Sequence, residues 1–97
     1  MKYAIRFSPK ARSDLDEIWT YTARQWGRQQ ADDYVRAFAA ALTLVAHNPA
    51  ISRDAAEVRP GLLKYPAGSH MLFFRLRSTS IDVVRILHQR MDFSRHL

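Results

Sequence analysis

Alternation of apolar and polar residues predicts that the chain begins with a strand and continues into two helices. Residues 2–7 alternate, and the Ser8-Pro9 pair that follows is typical of a helix start, since it combines a capping hydroxyl with a proline. Beyond it, apolar residues recur every three or four positions in two stripes, which Gly27 separates and Asn48-Pro49 ends. We therefore expect a helical hairpin. The stripes contain Ala11, Leu15, Ile18, Thr22 and Trp26 in the first helix and Ala31, Tyr34, Val35, Phe38, Ala41, Leu42 and Val45 in the second.

The second half of the chain predicts three strands after a loop. Residues 49–60 follow no period and predict the loop, whereas residues 61–65, 70–77 and 81–87 predict strands, the last two of them forming a hairpin. The predicted fold class is α+β with the order βααβββ, a helical hairpin packed on a small, mostly antiparallel sheet, in a single domain over residues 1–97. In the middle strand, alternation places Leu72, Phe74 and Leu76 on one face and Met71, Phe73, Arg75 and Arg77 on the other.

The last predicted strand is unusual because an arginine interrupts its apolar run. Strict alternation places Arg85 on the same face as Ile81, Val83 and Leu87, and it places Val84, Ile86 and His88 on the other face. A buried unpaired charge costs several kcal/mol, so Arg85 needs a partner, for instance an acid of the first helix. His88 ends the strand, where it either bonds a backbone group and fixes the next turn or takes part in chemistry.

Composition narrows the class of protein. The absence of cysteine excludes disulfides and thiolate metal sites, and the four histidines lack the spacing of a zinc site, so we expect no metal and no cofactor. No apolar run approaches the ~20 residues of a membrane span, and residues 1–7 do not form a signal peptide, so we expect a cytoplasmic protein. Fifteen basic residues against nine acidic ones give a net charge of +6, which is typical of proteins that bind nucleic acid or an acidic partner.

A set of residues near the end of the chain indicates a family. The string Arg85-Ile86-Leu87-His88, followed by Met91-Asp92 and His96-Leu97, resembles the C-terminal end of ParE toxins in the RelE/ParE superfamily. The resemblance implies a RelE/ParE-like fold and the toxin of a type II toxin-antitoxin system. It also implies a role in plasmid stabilisation, inhibition of DNA gyrase by binding rather than by catalysis, and neutralisation by a ParD-like antitoxin in a hetero-oligomer. Upstream residues that agree in order are Ser8, Ala11, Asp14-Leu15, Ile18-Trp19, Trp26-Gly27, Ala31, Tyr34, Pro49, Arg59-Pro60-Gly61 and Gly68-Ser69-His70.

The alternatives are a ribosome-dependent mRNA endonuclease similar to RelE and a non-toxic relative that binds nucleic acid. RNA cleavage needs a base, an acid and cations for the phosphorane charge, for which the candidates are Arg85, His88, Lys64 and Arg75. RelE-type enzymes rely on a denser set of lysine, arginine and tyrosine. Only Lys64 supplies a cation in residues 61–65, and no tyrosine follows His88, so the sequence favours the ParE branch.

The positions of other polar and aromatic residues along the predicted elements suggest a role for each of them. Asp14, Asp16 and Glu17 lie early in the first helix and are interpreted as surface acids that complement its dipole. The aromatic residues of that helix are expected in the core or at its edge. We expect a partner protein to cover the apolar surface that the fold leaves exposed. We expect residues 93–97 to be dispensable for the fold. The predicted antitoxin contacts are Trp19, Tyr21, Leu62, Tyr65, Arg75 and Arg77, and the predicted target contacts are Arg85, His88, Met91, Phe93 and Arg95.

Overall fold

The structure is a computed structural model that describes residues 3–97, so Lys2, the predicted start of the first strand, lies outside the described residues. Both long helices follow the sequence prediction. The segment predicted as a loop contains a short 3-10 turn and a two-residue strand, and the segment after the last strand ends in one helical turn. The elements are β1 (Ala4–Phe7), α1 (Pro9–Trp26), α2 (Arg28–His47), a 3-10 turn (Pro49–Ile51), β2 (Arg53–Asp54), β3 (Leu63–Ala67), β4 (His70–Leu76), β5 (Ser80–His88) and α3 (Phe93–His96).

The five strands form one sheet in the order β1-β5-β4-β3-β2. Strand β1 runs parallel to β5, and the other three pairings are antiparallel. Both helices pack on one face of this sheet, so the predicted α+β class with a mostly antiparallel sheet is confirmed. The pairing of β1 with the last strand, which the sequence left open, places the start of α1 beside the middle of β5.

The third strand begins and ends two residues later than predicted, over Leu63–Ala67. The prediction ended it before Pro66, because proline lacks the N–H that a sheet needs. Strand β2 pairs only with Leu63 and Lys64, so Pro66 lies where β3 is the edge of the sheet. Proline is tolerated at such an edge.

Strand β5 contains a β-bulge that overturns the predicted alternation. Phe74 faces Val83 across the ladder whereas Phe73 faces Arg85, so Val84 is the extra residue. Beyond the bulge each side chain changes face: Ile86 joins the core under the helices, and Leu87 joins a second core on the opposite face. The prediction that Ile86 and Leu87 lie on different faces holds, but Ile86 shares the core of Ile81 and Val83, whereas alternation predicted Leu87 there.

The first residues of α1 stabilise the bulged part of β5, where β1 no longer pairs with it. The Ser8 hydroxyl accepts a hydrogen bond from the Ala11 N–H (3.0 Å), which caps α1, and donates one to the Val84 carbonyl (2.9 Å). One turn further on, an Asp14 carboxylate oxygen accepts the Ile86 N–H at 2.9 Å. Side chains of α1 therefore replace the missing strand along this edge.

The second core lies on the sheet face away from the helices. It contains Met71, Phe73 and Leu87, and the segment between β2 and β3 covers it together with Phe93 and Leu97. The Phe93 ring meets Phe73 edge to face with centroids 4.8 Å apart. Residues 93–97 therefore cover apolar surface of the sheet, which argues against the expectation that they are dispensable for the fold.

Candidate functional site

An open groove of about 560 Å³ lies between α1 and the end of β5. Helix α1 contributes Tyr21 and Trp26 to one wall, and these side chains are 60% and 68% exposed. The expectation that both belong to the core or its edge is wrong. Met91, 44% exposed, lies across the groove in the turn after β5. Large exposed apolar side chains that meet in one concavity are typical of a surface that binds a partner.

An ion pair closes the floor of the groove. The Arg85 Nε and Nη2 atoms donate to the two carboxylate oxygens of Asp14 at 2.8 and 2.9 Å, and Nη1 donates to the His96 carbonyl at 2.9 Å. The hydrogen bonds with Asp14 raise the pKa of Arg85 above its ordinary value, so the guanidinium group stays charged. The predicted acidic partner of Arg85 is confirmed. The interpretation of Asp14 as a surface acid is wrong, since its side chain is only 10% exposed.

Two histidines face each other at the β-sheet end of the groove. His70 and His88 are paired across the ladder, with ring centroids 5.3 Å apart and the planes near perpendicular. The Arg90 N–H donates to His88 Nδ1 at 3.1 Å, which confirms the predicted fixing of the turn and leaves this nitrogen without a hydrogen.

Tyr34 holds the second imidazole in place. Its hydroxyl accepts the Ser69 N–H at 2.9 Å and shares a 2.8 Å hydrogen bond with His70 Nδ1. Burial and, to a lesser extent, the neighbouring His88 lower the pKa of His70 to about 4. His70 is therefore neutral near pH 7.

The candidate catalytic residues do not converge. Arg85 and His88 both line the groove, at its floor and its end. Lys64 and Arg75 lie on β3 and β4 outside the groove, where Lys64 Nζ meets Glu57 at 3.3 Å and Arg75 Nη1 donates to the Pro60 carbonyl at 2.9 Å. The four side chains therefore do not meet at one site.

The predicted antitoxin contacts do not form one surface either. The Trp19 indole N–H donates to Asp32 at 2.8 Å and so joins α1 to α2, and Tyr65 packs half-buried against the helical core. Leu62 is 1% exposed and lies in the second core, so it cannot contact a partner in this conformation. Tyr21 lies in the groove, and Arg77 lies at the far end of the sheet, exposed beside Asp82.

The predicted target contacts lie around the end of β5, with different accessibilities. Met91 and His88 line the groove, and Arg95 is exposed on α3 with Asp92 3.6 Å away. Phe93 packs on the second core, so the expectation that its ring is available to a target is wrong.

Sequence reasoning missed Trp26, His70 and Tyr34 as residues of this groove. The sequence did contain a signal for Trp26. This residue directly precedes Gly27, which ends α1, so no further turn of α1 covers its side chain. No comparable signal existed for His70, since only the bulge sets it opposite His88. Within residues 3–97, no three metal-binding side chains cluster and no helix is long and apolar enough to cross a membrane.

The fold and the groove define a small basic α+β protein with a concave, partly apolar surface beside its sheet. A solved structure described as "Chromosomal ParDE TA system from P. aeruginosa" matches with a TM-score of 0.76 and 18% identity, over 90% of this chain and 96% of that chain. The family model "ParE toxin of type II toxin-antitoxin system, parDE" matches residues 5–93. Toxin ParE1 of Mycobacterium tuberculosis is 50% identical over 91 residues, 93% of each chain. Toxin ParE1 of Caulobacter vibrioides is 37% identical over 92 residues, 95% of each chain. The chain belongs to the ParE family and is a toxin of a type II toxin-antitoxin system.

Proposed function

We propose that this toxin inhibits DNA gyrase by binding it in the cytoplasm, and that a ParD-like antitoxin neutralises the toxin in a hetero-oligomeric complex. The observation that carries the proposal is the groove, in which Tyr21, Trp26 and Met91 are exposed together. Aromatic side chains and methionine are enriched where proteins bind each other, and a few of them supply most of the binding energy. The resemblance to ParE toxins implies DNA gyrase as the target, and membership of the ParE family supports that target.

Target binding uses the rim of the groove formed by the turn after β5. His88 fixes this turn through Arg90, Met91 is exposed in the turn, and Arg95 is exposed on α3, which follows it. Arg85 and Asp14 support the turn from below, since Arg85 also holds the His96 carbonyl. These two residues therefore position the contact surface without themselves being free to bind.

Antitoxin binding uses Tyr21 in the groove and the positive charge of Arg75 and Arg77. The match to a structure described as a ParDE system supports an antitoxin partner, and an acidic antitoxin segment is attracted by a chain of net charge +6. Charge reversal of the two arginines is expected to slow association and flatten its salt dependence. The antitoxin is also expected to raise the melting temperature of the toxin, because it binds the folded state.

Purified proteins test the proposal directly. Supercoiling by gyrase is measured with the toxin and with two variants that each lose one exposed apolar side chain, Trp26→Ala and Leu44→Ala. Leu44 is 57% exposed on α2 and does not line the groove, so it is the matched control. We expect inhibition by the toxin and the control and at least tenfold weaker inhibition by Trp26→Ala. Unchanged supercoiling at any toxin concentration would contradict the gyrase target.

A second candidate, an RNA endonuclease, is favoured by one observation. The paired imidazoles His70 and His88 lie in an open groove, and a neutral imidazole can act as a general base. This mechanism predicts that His88→Gln alone reduces cleavage of ribosome-bound mRNA by about 10² to 10⁴-fold. The gyrase mechanism predicts that the intact toxin leaves such mRNA uncut, so the same preparations distinguish the two functions.

A further inference from the structure

Three arginines surround a single carboxylate on the sheet face away from the helices. Arg6 of β1 and Arg75 of β4 are the ladder neighbours of Asp82 in β5, one on each side. Arg77 follows one residue after β4, and its Nε lies 3.4 Å from an Asp82 oxygen. We call Arg6, Arg75 and Arg77 the arginine cluster.

Asp82 cannot neutralise the arginine cluster. Its other oxygen accepts the Ser80 hydroxyl at 2.8 Å, and within residues 3–97 it is the only acid that forms an ion pair with any of the three arginines. Three guanidinium groups and one carboxylate leave two positive charges. Arg6 is exposed and the Arg77 side chain is 60% exposed, so these charges face water rather than protein.

The backbone holds the arginines in a fixed array. Two strand spacings separate Arg6 from Arg75, about 10 Å, and two strand residues separate Arg75 from Arg77, about 7 Å. Ala4, the exposed ladder partner of Ser80 beside the cluster, has a small side chain, so a ligand backbone can approach the sheet closely there. Arginines at these spacings suit the regular phosphates of a duplex, because an exposed guanidinium group can bind phosphate bidentately.

The arginine cluster is remote from the groove. Asp82 and His88 are six residues apart on β5, which corresponds to about 20 Å along the strand. A protein that binds only at the groove therefore leaves the cluster open. Gyrase holds duplex DNA, so a toxin bound to gyrase has a phosphate backbone nearby.

We propose that the arginine cluster binds the phosphate backbone of duplex DNA, so that the toxin contacts both gyrase and the DNA that gyrase holds. The gyrase context rests on the proposed function, whereas phosphate binding by the cluster does not. An antitoxin that reaches Arg75 and Arg77 would block this contact together with the groove.

The experiment measures fluorescence anisotropy of a labelled 20-base-pair duplex, without gyrase, between 50 and 200 mM salt. The variant Arg6→Gln/Arg77→Gln removes the two exposed members of the cluster, and Arg24→Gln/Arg28→Gln removes two exposed arginines of the helical hairpin. Each phosphate contact contributes about −0.9 to the slope of log affinity against log salt. The cluster variant is expected to bind at least tenfold more weakly at 50 mM salt and to reduce the slope by about 2, whereas the control retains wild-type values. Circular dichroism verifies that both variants fold.

Three results would overturn the inference. The first is equal loss in both variants, because net charge alone would then explain binding. The second is that the cluster variant keeps the wild-type affinity and salt slope, which would place the duplex elsewhere on the basic surface and leave the cluster to an acidic protein segment. The third is no measurable duplex binding at 50 mM salt. A supercoiling assay separates this inference from the proposed function, since gyrase inhibition without duplex binding overturns only the inference, and duplex binding without inhibition contradicts only the gyrase target.

Discussion

The ion pair at the floor of the groove is predicted to be a main determinant of stability. Asp14 accepts three hydrogen bonds, two from Arg85 and one from the Ile86 N–H, and the two charged side chains are 10% and 18% exposed. In Asp14→Ala the arginine loses its counter-ion and the Ile86 N–H loses its acceptor. Removing one partner of a buried pair costs about 3 to 5 kcal/mol.

Water in the open groove reduces that loss, because it can hydrate the guanidinium group. We therefore expect Asp14→Ala to lower the free energy of unfolding by about 2 to 3 kcal/mol, of which about 1 comes from the Ile86 N–H. For a domain of this size that corresponds to a decrease of roughly 10 to 20 °C in melting temperature. Urea unfolding at pH 7, followed by circular dichroism, measures the change.

Two further variants identify the cause of the loss. Glu17→Ala removes an exposed acid that also lines the groove but forms no ion pair within residues 3–97, so it is expected to stay within about 0.5 kcal/mol of wild type. Arg85→Met removes the charge that Asp14 balances, so the further loss on adding Asp14→Ala should be smaller than in wild type. A loss below about 0.5 kcal/mol for Asp14→Ala, or strictly additive losses in the double variant, would refute the reasoning.

Three other outcomes follow from the structure. The pKa of His70 is about 4 in the fold and 6.5 unfolded, so the unfolded chain takes up the proton first. Stability is therefore expected to be full above pH 6.5 and to fall as the pH decreases toward 4, and urea titrations should find a smaller decrease in His70→Gln. Phe93→Ala uncovers the second core and should cost about 1 to 2 kcal/mol, whereas Met91→Ala should stay within about 0.5; equal effects in thermal melts would contradict the packing. Gly68→Ala should cost about 2 to 3 kcal/mol, because φ is +59° and a Cβ there would lie 2.6 Å from the Tyr34 ring. Gly27→Ala, with φ of +95° and nothing within 4 Å, should cost about 1 kcal/mol.

Local sequence signals predicted the elements of this fold well where each signal acts within a few residues. The Ser8-Pro9 pair starts α1, and Gly27, with φ of +95°, separates α1 from α2. Alternation also holds along β4, since Leu72 and Phe74 pack under the helices and Met71 and Phe73 pack on the opposite face. These features depend on near neighbours in the chain, which the sequence displays directly.

The requirement that Arg85 be neutralised also followed from sequence, because an arginine among apolar strand residues needs an acid in any fold. Only the tertiary structure shows which acid neutralises Arg85. Asp14 reaches Arg85 only because β1 lies parallel to β5 and delivers the start of α1 to the exposed edge. A pairing between residues more than seventy positions apart leaves no local trace in the sequence.

The groove itself was decided by tertiary structure. One extra residue, Val84, shifts the ladder so that His88 faces His70 under the helices rather than on the opposite sheet face. Alternation cannot reveal such a bulge, because an inserted strand residue resembles any other apolar one. The Ser8 hydroxyl, 76 positions earlier in the chain, helps to stabilise the bulge by donating to the Val84 carbonyl. The sequence by itself thus determined the elements, the charge and the family resemblance, while long-range strand pairing determined which side chains meet.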